Sequence, residues 1–176
     1  MLYFFMKILI ADIYPFVDYR LIKDTAGGYG TGNDFSGNIF LKFLNKFLGS
    51  MLSMPPMSAI YVYSILKNKG HEVDYIKSDK DLEILKDYDC YIIPSSIIAC
   101  ESEVEFVNKI IKKKKPVFVI GIFSNIKSNL YNKEAIIIKG EPEKFFLENE
   151  LNTNFLDKDF LRQKANENSM LENLDI

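Results

Sequence analysis

Lys7-Ile8-Leu9-Ile10-Ala11-Asp12 decides the fold. An unbroken apolar run closed by a carboxylate, with no polar residue at alternate positions, is the pattern of a short strand buried on both faces. Such strands belong to parallel sheets covered by helices on each side. Working outward, Cys90-Tyr91-Ile92-Ile93-Pro94 and Val117-Phe118-Val119-Ile120 repeat the pattern, Glu72 to Ile76 adds a further strand, and Ala135 to Ile138 a fifth. Helices separate them. Phe40, Phe43, Leu44, Phe47, Leu48 and Met51 recur at helical spacing. Pro55-Pro56 opens a second helix, with Ile60, Tyr61, Ser64, Ile65 and Leu66 as its inward face and Gly70 as a left-handed stop. A third runs from about Glu101 to Lys114, acidic in its first turn and ending in Lys112 to Lys115, the polarity that the helix dipole favours. Those lysines read as a solvated helix terminus. A last helix begins near Glu143.

Strands alternating with helices imply βαβ units with right-handed crossovers. The expected fold is α/β: a three-layer, flavodoxin-like or Rossmann-like domain over 6–150, with a five-stranded parallel sheet in the order 2-1-3-4-5. Residues 13–38, with Pro15, Gly27, Gly28, Gly30, Gly32 and Gly37, are too glycine-rich for helix or sheet and form a long loop of the kind that is usually functional or mobile. From Leu151 the sequence turns polar and asparagine-rich, so 151–176 reads as a linker or tail with a weak helix near Lys158 to Ala165. Its sparse apolar residues cannot offset an ordering cost of roughly 1–2 kcal/mol of backbone entropy per residue. It is expected to order only with a partner.

In open parallel sheets the ligand crevice lies beyond the carboxyl ends of the strands, at the switch point between strands 1 and 3. That geometry selects Asp12 to Pro15 with the glycine loop, Ser95 to Ile97, Gly121 to Asn125, and Gly140 to Glu143.

Composition narrows the partners. Basic side chains number 22 against 24 acidic ones, for a formal charge of -2, and the pI is about 5.5. No basic footprint for nucleic acid results. The two cysteines, Cys90 and Cys100, cannot hold an iron–sulfur cluster within this chain. Cys90 packs as a small hydrophobe, Cys100 lies partly exposed near a helix start, and neither is assigned a catalytic role. The apolar opening Met1 to Met6 lacks a basic leader and a cleavage site, so it reads as the lead into a strand. No segment reaches the ~18 consecutive apolar residues of a membrane helix. A cytoplasmic protein without membrane or nucleic-acid partners is expected.

Three nucleotide or phosphate readings can be tested on the residues. Gly27-Gly28-Tyr29-Gly30-Thr31-Gly32 neither follows the first strand directly nor opens a helix with G-x-G-x-x-G spacing, and no Gly-Lys-Ser/Thr follows. It reads equally as a surface loop or as a segment whose bare backbone approaches a bulky ligand. A phosphoacceptor receiver needs an aspartate at the end of strand 3, where this chain has Pro94-Ser95. A flavodoxin needs a hydroxyl-rich loop after strand 1, where Asp12-Ile13-Tyr14-Pro15-Phe16 offers one hydroxyl.

Pro55-Pro56-Met57-Ser58-Ala59-Ile60-Tyr61, Lys69-Gly70-His71-Glu72-Val73, the Gly121 turn with Phe123-Ser124-Asn125, and Lys139-Gly140-Glu141-Pro142-Glu143 follow one another in order across Lys7 to Glu150. Together they resemble the amino-terminal cobalamin (B12)-binding domain of B12-dependent radical S-adenosylmethionine (SAM) proteins. The polar end Glu172-Asn173-Leu174-Asp175 is similar to the lead-in that joins this domain to the iron–sulfur barrel. The resemblance implies a cobalamin-contacting set of Asp12, Tyr14, Gly28, Gly30, Ser95, Ser96, Ile97, Gly121, Phe123, Ser124, Gly140 and Glu141. Ser95 and Ser96 would hydrogen-bond the nucleotide tail, Gly121 and Gly140 would permit its close approach, and Tyr14 would face the lower side of the corrin. Glu141 has a second reading as a cap of the following helix.

Two departures shape the expectation. The classical cobalamin domain carries Asp-x-His-x-x-Gly after strand 1, and here the histidine position is Tyr14 and the glycine position Val17. A phenol with an ordinary pKa of about 10 is a poor substitute for imidazole, so a bound corrinoid would lack a histidine ligand. His71 introduces strand 2, away from the crevice, and reads as a packed or solvated strand-start residue. The three-cysteine cluster motif is also missing, so the radical step would belong to a radical SAM catalytic domain or subunit, on another chain or lost from this one. The alternative is a degenerate, cofactor-free domain serving protein interaction or substrate gating, with Tyr14, Phe16, Tyr19 and Tyr29 available to cover a partner.

Overall fold

Successive strand residues are buried on alternate faces of the sheet, which sorts the core into two layers. In the computed structural model, which describes residues 5–15, Lys23, Ile39, 55–79 and 87–151, the sheet is built from β1 (Lys7–Tyr14), β2 (Glu72–Asp79), β3 (Cys90–Pro94), β4 (Val117–Ile120) and β5 (Ile136–Ile137). All pairings are parallel and the order is β2-β1-β3-β4-β5. The α/β architecture and strand order therefore match the expectation. Ile8, Ile10, Cys90, Ile92, Phe118 and Ile120 face one side, where they meet α1 (Met57–Asn68) and α4 (Pro142–Glu148). Leu9, Ala11, Ile13, Tyr91, Ile93, Val117 and Val119 face the other and meet α2 (Cys100–Lys112). The period of two along a strand produces both sets from the same apolar runs.

Packing on the first side centres on Phe118, Phe145 and Phe146, whose rings lie 5.2 to 6.3 Å apart in tilted and edge-on geometries. Leu151 closes this layer and is fully packed. A short helix α3 (Ile122–Ile126) and a 3₁₀ turn at Ser128–Leu130 carry the chain from β4 towards β5.

Some boundaries differ from the sequence reading. β1 and β2 run on to Tyr14 and Asp79, pairing at every position from Lys7↔Glu72 to Tyr14↔Asp79, because the polar residues at their carboxyl ends pair with one another. β5 shrinks to Ile136–Ile137, although the Ile138 N–H still donates to the Val119 carbonyl at 3.0 Å. The inward face of α1 is Ala59, Val62 and Leu66, with Tyr63 and Ile65 at its flank. Tyr61 is instead 52% exposed, and the Ser64 hydroxyl donates to its own helix at the Ile60 carbonyl. This helix is apolar nearly all round, so its periodicity does not select a face. Gly70 does follow the helix with φ +89, as a left-handed stop should. His71 is buried, and Lys112 to Lys114 are exposed at the helix end. The helix expected over Phe40 to Met51 and the Gly27 to Gly32 motif with Gly28 and Gly30 lie outside the described residues, as does the tail expected over 151–176 apart from Leu151, which packs into the core instead.

Candidate functional site

The carboxyl ends of β3, β4 and β5, together with the start of α1, enclose a groove of about 640 Å³. Its floor is Ser95. The Ser95 N–H donates to the Ile120 carbonyl (2.7 Å) and the Ser95 hydroxyl oxygen accepts from the Ser124 N–H (3.0 Å). Gly121 crosses directly over this serine at φ +115 and ψ 161, a region that only glycine occupies readily. A Cβ there would lie 3.0 Å from the Ser95 Oγ and 3.1 Å from its carbonyl oxygen. The glycine is required by the close approach of two strand ends.

Gly140 also has positive φ, +74. The Asn125 side-chain amide, oriented to satisfy both partners, donates to the Ile138 carbonyl (2.8 Å) and accepts from the Gly140 N–H (3.2 Å), tying the β5 end to α3. Ile97 and Phe123 line the groove with Gly121 and Gly140. Ser124 is turned inward, its hydroxyl donating to the Gly121 carbonyl at 2.9 Å. Glu141 is exposed at the N-cap position of α4 and makes no side-chain cap hydrogen bond.

The switch point between β1 and β3 has a different character. The Lys23 ammonium, 2% exposed, sits 3.0 Å from Asp12 Oδ1 and 2.8 Å from Glu103 Oε1, and donates to the Pro94 carbonyl at 2.7 Å. Asp12 comes from β1, Glu103 from the first turn of α2, and Pro94 from the end of β3. Glu103 is fully buried and also accepts from the Ser96 N–H, the Ser96 hydroxyl and the Tyr131 hydroxyl, at 3.0 to 3.1 Å. Burial pushes its carboxyl up from the ordinary range, against the downward pull of Lys23 and these donors. Tyr131 is pushed up as well, by burial and by Glu103. On the other side the Tyr75 hydroxyl donates to Asp12 Oδ2 (2.8 Å). Tyr14 is buried with Lys77 Nζ at 4.5 Å and Lys23 Nζ at 5.1 Å from its ring centroid. Burial lowers the Lys77 pKa, Asp12 opposing and Lys23 reinforcing it.

Of the residues selected from the sequence, Ser95, Ser96, Ile97, Gly121, Phe123 and Gly140 line one groove. Asp12 and Tyr14 belong to the charged switch point beside it. Lys23, Glu103 and Tyr131 were missed by the sequence reading. The available signal was a buried strand ending in Asp12 and a helix with acids in its first turn, two carboxylates at one sheet edge that call for a cation. Chemically, the Lys23 charge is already paired with two carboxylates, and its ammonium also donates to the Pro94 carbonyl. It is the cation among the described residues lining the groove, which otherwise presents hydroxyls, backbone and apolar side chains. Among the described residues no cluster of metal-ligating side chains occurs, and no helix is long and apolar enough to cross a membrane. No protein-family model, curated protein or solved structure matches the chain.

Proposed function

We propose that this domain is a cobalamin-binding module that holds the corrinoid without a histidine ligand and presents it to a radical SAM catalytic domain, as part of a methyltransferase or related enzyme. The observation that carries the reading is the groove's rim. Ile97, Ile122 and Ile126 are 62%, 79% and 70% exposed around a floor of Ser95, Gly121 and Gly140. Exposed apolar side chains ringing a concave polar floor suit a bulky amphipathic ligand, one part of which inserts while a broad face rests on the rim. About 640 Å³ is ample for a planar heterocyclic tail and lies in the usual range for small-molecule sites.

The residues fit such a group in a specific way. Ser95 supplies the hydroxyl at the floor, Gly121 and Gly140 keep Cβ atoms out of the path, and Phe123 and Ile97 bound the sides. Among the described residues the one cation lining the groove, Lys23, is paired with two carboxylates, which suits an uncharged base better than a nucleoside polyphosphate. Bound cobalamin would supply the cobalt chemistry, and this chain the orientation and the dry surroundings. Asp12 and Tyr14 are buried in the adjoining switch point.

Incubation with hydroxocobalamin followed by gel filtration tests the reading. Co-elution of the corrinoid visible spectrum with protein at micromolar concentrations is the expected result, with no loss of retention when Tyr14 is replaced by Phe. Absence of retained corrinoid favours the second reading, a cofactor-free domain for protein interaction or substrate gating. The observation behind that reading is Lys23, which fills the β1/β3 switch point with the chain's own charge.

A further inference from the structure

The groove floor is held from behind by charges. Three consecutive residues at the end of β3 are each gripped from a different direction: the Pro94 carbonyl accepts from Lys23, the Ser95 hydroxyl accepts from the Ser124 N–H, and the Ser96 N–H and hydroxyl both donate to Glu103. Lys23 and Glu103 contact each other at 2.8 Å, so the first and third grips are one unit. A buried ion pair is an expensive way to fill space, and apolar side chains of similar volume would cost less. Apolar side chains would leave the Pro94 carbonyl and the Ser96 N–H without partners, and buried backbone groups of a turn have to be satisfied.

We infer that Lys23 and Glu103 are positioning residues of the groove, holding the Pro94 to Ile97 turn so that Ser95 forms its floor and keeps Ser124 in register. Neither side chain touches the ligand in this role. Replacing Lys23 removes the donor to Pro94 and the positive charge that opposes the effect of burial on the Glu103 carboxyl. Without the 2.8 Å contact to Lys23 the Glu103 carboxyl loses the partner that fixes its position against the Ser96 N–H, and the turn loosens at both ends.

The test is amide hydrogen exchange by NMR on Lys23→Met, read at Ser96 and Ser124 and compared with Ile8 and Phe118 in the sheet. Exchange about tenfold faster at Ser96 and Ser124, with the sheet amides within about twofold of wild type, is the expected pattern. Should Lys23→Met fail to fold, Glu103→Gln provides the second variant. It keeps one acceptor oxygen and puts an amide NH₂ against a donor, and the same selective loosening is expected. Wild-type exchange at Ser96 and Ser124, or an equal acceleration at all four amides, overturns the inference. A second arm, resting on the cobalamin reading, expects hydroxocobalamin to bind about tenfold more weakly to the variant. If wild-type protein retains no corrinoid, the cobalamin reading falls while the amide arm still decides the positioning role.

Discussion

Between β1 and β3 the carboxyl edge of the sheet is filled by Lys23, Asp12 and Glu103, whereas between β3 and β5 the same edge is left as a groove bounded by the uncharged Ser95, Gly121 and Gly140, with the paired Lys23 at its margin. Both halves are made by parallel strands ending side by side, so backbone geometry does not distinguish them. Charge does. Strand ends expose carbonyls and amides that must be satisfied, and the first half satisfies them with buried ions while the second uses hydroxyls and neighbouring backbone. Ions tolerate no substitution of one partner without the other; hydroxyls and backbone contacts give way in smaller steps. The first half should therefore respond to mutation through stability and the second through binding.

The largest expected effect breaks the charged half. Glu103→Leu strands the Lys23 ammonium beside Asp12 and leaves the Ser96 N–H and the Tyr131 hydroxyl without their acceptor. Removing one partner of a buried pair costs about 3–5 kcal/mol. Urea denaturation should show a loss of that size, and a change under about 1 kcal/mol would mean that the network is solvated.

The neutral half is tested by a pair of glycines. Gly70 has φ +89 with nothing within 4 Å of a Cβ, so Gly70→Ala should cost only the backbone penalty of about 1–2 kcal/mol. Gly121 adds a Cβ contact of 3.0 Å to the Ser95 Oγ, in a glycine-only region of backbone space. Gly121→Ala should cost about 3 kcal/mol and, on the cobalamin reading, abolish corrinoid retention, while Gly70→Ala leaves retention intact. Equal costs for the two would show that the β3 and β4 ends are not in close contact.

These halves were not equally legible in the sequence. Cys90–Pro94 and Val117–Ile120 match the expected bounds because fully buried strands carry an unbroken apolar run with sharp ends. Ser95, Gly121 and Gly140 were found by topology, since parallel strands put whatever follows them at one edge. The direction of a side chain at a turn is another matter. Ser96 and Ser124 looked like ligand groups and are turned instead to Glu103 and Gly121, because a buried turn satisfies its own backbone first. Lys23 had no local signal at all. Its role depends on carboxylates from β1 and α2, and only the folded chain brings the three together.

The charged half also predicts a pH dependence. Burial raises the folded-state pKa of Glu103 above its ordinary value of 4.5, so the folded chain holds this proton more tightly than the unfolded one. Its contribution to stability is fully present below about 4.5 and is lost as pH rises through the folded value. Lys23 is the strongest influence pulling that pKa back down. In Lys23→Met the folded value should climb, and the loss of stability on raising pH should become larger than in wild type. Urea midpoints across that range check it; parallel curves for the two proteins would show that Lys23 does not govern Glu103.

The smallest effect lies at the opposite edge of the sheet and carries the opposite sign. His71 enters β2 from the α1 turn, is buried, and neither ring nitrogen has a hydrogen-bond partner among the described residues. Burial lowers its pKa from 6.5, with Glu150 pulling upward and Lys69 reinforcing the decrease. The same Lys69 donates to the Leu147 and Asn149 carbonyls and pairs with Glu150 at 3.1 Å, so the imidazole sits beside the junction that holds the end of α4. A depressed folded-state pKa means that this group's contribution is present above 6.5 and is lost as pH falls through the folded value. Acidification from about pH 7.5 to about pH 5.5 should thus subtract stability through His71. His71→Leu removes this slope, so the variant should gain stability relative to wild type as pH falls across that window. If the two proteins keep a constant difference throughout, the imidazole titrates as freely as it does in the unfolded chain, and burial of His71 contributes nothing to the pH dependence.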